Sequence, residues 1–66
     1  MKVSYNKLWK LLIDRKMSTA DLRRQVGIAP NTLTKLRHDE AVTLDVLGRI
    51  CKELGVNVGD IMDFVY

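Results

Sequence analysis

Asn31 and Lys35 stand one helical turn apart with Thr32 and Thr34 between them, and the chemistry open to such side chains is recognition. A carboxamide pairs bidentately with adenine, an ammonium reaches guanine O6 and N7, and a threonine offers a hydroxyl to a phosphate or a methyl to thymine. Upstream, Arg23 and Arg24 fit two roles equally: phosphate contacts, or a solvent-facing pair matched to Asp21 or to a helix C-terminal dipole. Catalysis has almost no support. His38 has no positioned Asp and no Ser or Cys nucleophile near it in sequence, and no glycine-rich loop is present to cradle a phosphate. Cys51 is the sole cysteine; with neither a second Cys nor a neighbouring His, it reads as a buried, inert thiol rather than a redox sensor or zinc ligand. No enzyme, metal or cofactor is expected.

These side chains act only if helices hold them, and helix starts recur along the chain. A cap-type residue preceded by an apolar one and followed four positions later by another occurs at Val3-Ser4-Leu8, Met17-Ser18-Leu22, Val42-Thr43-Leu47 and Val56-Asn57-Ile61. At a helix start this spacing lets a side-chain oxygen accept from an orphan amide while the apolar pair closes as a staple. Ile28-Ala29-Leu33 has the staple pair with Ala at the cap and Pro30 at the first helical position, where a missing N–H does no harm. Gly27 and Gly55 stand where the second and fourth helices should end in a left-handed residue. Five helices are predicted over about 5–16, 19–26, 30–38, 44–54 and 58–64. Their inward stripes include Tyr5, Leu8, Trp9, Leu12 and Ile13 in the first and Leu44, Leu47, Ile50, Cys51 and Leu54 in the fourth. No run of alternating β-branched residues argues for a strand.

Sixty-six residues fit one domain, 1–66, with a single core, and 47% apolar and 29% charged residues are ordinary for a globular chain. No apolar run approaches the roughly 18 residues of a membrane helix, and the first residues lack the apolar core of a secretory signal. A soluble, cytoplasmic, nucleoid-associated module held by packing alone is expected. The net charge of +3 is unevenly spread: through Arg37, nine Lys/Arg face two Asp, a balance of +7, whereas from His38 onward two face six acids, a balance of −4. Either this is a chance asymmetry of a solvated surface, or the N-terminal half presents a positive face to a polyanion. Lys2, Lys7, Lys10, Arg15 and Lys16 read chiefly as an exposed face that adds attraction.

Ser18 to Leu36 is the most informative stretch. A helix ends at Gly27, two residues intervene, and the next begins at Pro30, so the pair must cross steeply around Ile28 as a shared plug. That is helix-turn-helix geometry, in which the second helix projects into a major groove about 12 Å wide. With Leu33 and Leu36 turned inward, Asn31, Thr32, Thr34, Lys35 and Arg37 or His38 point outward. The chain here resembles the lambda-repressor and Cro-like helix-turn-helix regulators, the XRE family. Leu22, Gly27, Ile28, Leu33 and Leu36 match the motif's core positions, and Leu47, Ile50, Leu54-Gly55-Val56 and Asp60-Ile61 match its closing helices. The resemblance implies base contacts from Pro30, Asn31 and Lys35, a phosphate contact from Thr19 and an approach of His38 to the backbone; by residue type and placement, Thr32 and Thr34 are candidates for base or phosphate contacts, and Ser18, Arg23, Arg24 and Arg37 for phosphate contacts. Three positions depart from the family pattern. Arg23 stands where a small residue is usual, Ala29 replaces a Ser or Thr cap, and Asp39 replaces a glycine, with Glu40 beside it. The two carboxylates are expected to repel phosphates.

The expected architecture is therefore all-α, a five-helix lambda-repressor-like domain with its helix-turn-helix at helices 2 and 3. Its expected function is sequence-specific binding of double-stranded DNA as a transcriptional regulator, a repressor acting by operator occupancy. The alternatives are a protein-interaction or antitoxin-like module and a non-specific DNA binder. Phe64, Val65 and Tyr66 are left without an element to cover them once Ile61 and Met62 close the core, so they are expected either to centre a homodimer interface or to form a frayed or back-folded tail.

Overall fold

Ser18 and Asp21 fix one helix start by exchanging hydrogen bonds: the Asp21 N–H donates to Ser18 Oγ and the Ser18 N–H to the Asp21 carboxylate, each at 3.0 Å. Thr43 Oγ1 caps another, accepting from the Val46 N–H at 3.3 Å, and Pro30 opens a third behind an uncapped Ala29. Gly27 at φ 77° and Gly55 at φ 68° close two of these helices in the left-handed conformation that glycine adopts without steric cost. In the computed structural model, which describes residues 2–66, the elements are β1 (Lys2–Ser4), α1 (Asn6–Asp14), α2 (Thr19–Val26), α3 (Pro30–Arg37), α4 (Leu44–Leu54), a 3-10 turn (Val58–Asp60) and β2 (Asp63–Val65).

The domain is mostly helical but not all-α, and it has four α-helices rather than five. The segment expected to be the fifth helix makes one 3-10 turn and then extends. The Asp60 carboxylate accepts the Asn57 N–H at 2.9 Å, as at a helix start, but Gly59 and β-branched Val58 are weak helix formers and the segment stops after one turn. That turn delivers Ile61 into the core, after which β2 pairs antiparallel with β1 in the register Lys2 to Val65, Val3 to Phe64 and Ser4 to Asp63. Ser4 is thus a strand residue and Tyr5 takes the N-cap position without a side-chain cap of its own, while the Ser4 hydroxyl accepts the Asn6 N–H at 3.4 Å and so serves the start of α1 from one residue further back.

The core gathers Tyr5, Leu8 and Leu12 around Leu22 of α2, Ile28 of the turn, Leu33 and Leu36 of α3, three α4 residues and Ile61. α2 packs against both α3 and α4, which makes it the platform on which α3 is mounted. Two residues of the expected stripes lie outside. Ile13 is 73% exposed and Leu44 82%, because each sits at a helix end where the stripe runs past its neighbours. Trp9 and Cys51 are half-buried against the core. No helix among the described residues is long and apolar enough to cross a membrane.

Candidate nucleic-acid interface

α3 presents its two sides to different surroundings. Leu33 and Leu36 are buried, whereas Pro30, Asn31, Thr34, Lys35 and Arg37 are exposed. Ile28 is buried between the two helices, as the two-residue turn requires. The Arg37 guanidinium donates to Thr19 Oγ1 at 2.7 Å, tying the end of α3 to the start of α2. A guanidinium carries five N–H donors, so this bond leaves others free for an anion. Thr34 Oγ1 donates to the Pro30 carbonyl at 3.1 Å, which directs its proton back onto the helix, and the residue is exposed. Thr32 is half-buried and lines, with Lys35, Val42 and Val46, a hollow of about 220 Å³ between α3 and α4.

On α2, Ser18 Oγ serves the cap described above, and Thr19 is half-buried beside it. The Ser18 backbone and side-chain hydrogen bonds, and then the Arg24 charge, hold the Asp21 carboxyl below its ordinary range. Arg24 is ion-paired to Asp21 one turn earlier, which favours the matched-pair role for this arginine. Arg23 is half-buried. His38, exposed, ends α3 with its N–H on the Thr34 and Lys35 carbonyls at 3.1 and 3.2 Å.

The small sheet adds residues that sequence reasoning places elsewhere. It brings Lys2 and Val65 beside His38 and Asp39 around a hollow of about 550 Å³, so Lys2 lies next to the end of α3. No sequence signal marks this, since it depends on pairing two three-residue strands more than fifty positions apart. Lys7, by contrast, is held by the Gly59 carbonyl and the Asp63 carboxylate, both at 3.0 Å, and fastens α1 to the C-terminal segment. The Asp39 carboxylate accepts the Tyr5 N–H at 3.1 Å, so it is turned toward the start of α1.

The C-terminal residues are neither frayed nor a single patch. Strand alternation sends Phe64 to one side, where with Leu44, Leu47, Val58 and Met62 it lines an apolar groove of about 530 Å³. Val65, paired with Lys2, turns to the opposite side, toward His38. Tyr66 lies beyond the strand and is fully exposed.

The profile of the Cro/C1-type HTH DNA-binding domain matches residues 7–66. Over 56 residues the chain is 38% identical to an uncharacterised HTH-type transcriptional regulator of Bacillus subtilis (strain 168), YozG, an alignment covering 82% of this chain and 67% of the relative. The crystal structure of the transcriptional regulator VanUg, form II, is similar with a TM-score of 0.92 and 52% identity, covering 94% of this chain and 83% of that one.

Proposed function

The chain belongs to the Cro/C1-type helix-turn-helix family and is a DNA-binding transcriptional regulator; from that premise we propose that it represses by occupying an operator whose half-sites α3 reads in the major groove. The observation that supports this best is the two-sided character of α3, with two buried leucines behind and Asn31, Thr34, Lys35 and Arg37 in solvent ahead. In this reading Asn31 and Lys35 contact base edges, and Pro30, at the tip of the helix, packs on a base or sugar. Thr34 offers its methyl to thymine, because its proton is already committed to Pro30. Arg37 and Thr19, bonded to each other, meet one phosphate together, with Ser18, Arg23 and His38 on neighbouring ones, Arg24 kept on Asp21, and Thr32 as a peripheral contact. The protein works in the cytoplasm on nucleoid DNA and needs no cofactor.

A helix of eight residues reads only a few base pairs. Specificity therefore requires two copies, and the apolar groove around Phe64, Leu44 and Val58 is the face proposed to join them across a twofold axis. Of the three C-terminal residues expected at that interface, Phe64 lines the groove, whereas Val65 faces the opposite side of the sheet and takes no part in it.

The experiment is a selection of bound sequences from a random duplex pool, followed by salt titrations on the selected and a scrambled duplex. A steep salt slope together with a large preference for the selected sequence is expected. A steep slope without preference identifies a non-specific binder, and the absence of DNA binding identifies a protein-interaction module.

A further inference from the structure

Tyr5 is buried at the junction of β1 and α1, yet its backbone N–H and its hydroxyl reach the loop that ends α3. Its backbone N–H donates to the Asp39 carboxylate at 3.1 Å and its hydroxyl to the Glu40 carbonyl at 2.8 Å, across 34 and 35 positions of sequence. The same two residues close α3 through their other groups: the Glu40 N–H donates to the Lys35 carbonyl at 2.9 Å and the Asp39 N–H to the Leu36 carbonyl at 3.3 Å. Two hydrogen bonds joined by the backbone of Glu40 therefore link the Tyr5 hydroxyl to the backbone of Lys35. Asp39 is held at φ 55°, in the left-handed region that few residues besides glycine, asparagine and aspartate adopt, and there its carboxylate faces the start of α1. Its carboxylate thereby sits at the positive end of the α1 dipole, beside the hollow it shares with Lys2 and His38.

We propose that Tyr5 is a positioning residue for DNA recognition: by gripping Asp39 and Glu40 it fixes the last turn of α3, and with it the aim of Lys35, Arg37 and His38. This rests on α3 being the reader of bases. Tyr5 itself is buried and touches no DNA, so losing the grip should blur base preference while leaving the number of phosphate contacts, and hence the salt slope, unchanged.

The test uses the full chain with Tyr5→Phe, Asp39→Asn, Asp39→Gly and Asn31→Ala, binding the selected and scrambled duplexes well below each variant's melting temperature. Asn and Gly both suit the positive φ and both remove the charge, but only Asn keeps an oxygen for the Tyr5 N–H. Tyr5→Phe and Asp39→Gly are expected to lose about five- to tenfold of the preference for the selected duplex with no change in salt slope, and Asp39→Asn to retain it within about twofold. If Asn31→Ala loses preference while Tyr5→Phe and Asp39→Gly keep it, the grip has no part in recognition. If all four keep it, α3 is not the reader and the inference falls with that premise. Should Tyr5→Phe fail to fold, the Asp39 pair decides alone: equal preference in Asn and Gly variants overturns the proposal.

Discussion

Truncating Leu36 and Leu47 to alanine is the same chemical change at two core positions, yet the structure requires different costs. Each removes three carbons, which at about 0.8 kcal/mol per buried CH₂ gives up roughly 2.4 kcal/mol of transfer free energy. Leu36 is 0% exposed, so its truncation also leaves a closed void, and enclosed leucine sites of this kind lose up to about 5 kcal/mol in total. Leu47 is 6% exposed and lines the apolar groove, so the space it vacates opens outward and its cost stays near about 2–3 kcal/mol. At about 0.05–0.15 kcal/mol per residue, a domain of this length holds roughly 3–10 kcal/mol. Leu36→Ala should therefore consume about half or more of the stability and Leu47→Ala distinctly less. Urea unfolding followed by Trp9 fluorescence and by far-ultraviolet circular dichroism measures both, with unchanged m-values expected. A Leu47→Ala cost equal to that of Leu36→Ala would mean that the groove is closed at that residue. A cost below about 1 kcal/mol at either site would refute the core assignment itself.

Ser18→Ala removes the α2 cap and should lower the melting temperature by about 4–8 °C. Because Asp21 is depressed in the folded chain, its contribution is present above its ordinary value of 3.8 and is lost as pH falls through the folded value; the variant should show a flatter acid limb in melting experiments. Burial raises the Tyr5 phenol above 10.0, the Asp39 charge adding to this and a Val42 backbone hydrogen bond opposing it. Its contribution is full below pH 10.0 and declines as pH rises toward the folded value, so Tyr5→Phe should melt with a shallower alkaline limb than the parent. Phe64→Asp, placed in the groove, should shift sedimentation from dimer to monomer, whereas Val65→Asp on the other side of the sheet should not; equal behaviour of the two, or a parent that is monomeric at high concentration, would refute the groove as the interface.

Much of the helical frame is legible in the sequence because its signals are local. Ser18, Thr43, Gly27, Gly55 and Pro30 stand at helix ends and act through bonds or dihedral angles within a few residues, so α2, α3 and α4 lie close to their expected spans. The departure at Val58–Val65 has the opposite cause. An apolar residue before Asn57 and another four after it look like a helix start, but the path of the chain beyond Asp60 is governed by β1, at the other end of the sequence. Three-residue strands are also too short to display alternation. Ser4 does accept the first amide of α1, but from a strand, and its neighbour Val3 packs on the core from that strand rather than as a staple. At the candidate site, the outward residues of α3 follow from helical spacing, whereas Lys2 beside His38 and the Asp39–Tyr5 bond are long-range consequences of the sheet and loop. Two acids expected only to repel phosphates thus include one, Asp39, that serves as a distant cap.

Base reading by α3 through Asn31 and Lys35 is tested most directly by the affinity of Asn31→Ala and Lys35→Ala for the selected duplex and for a set of single-base variants of it, at fixed salt. Each substitution should cost about 1–3 kcal/mol and relax preference at one or two base positions, with an unchanged melting temperature since both side chains are exposed. Unchanged affinity and unchanged preference in both variants would contradict it.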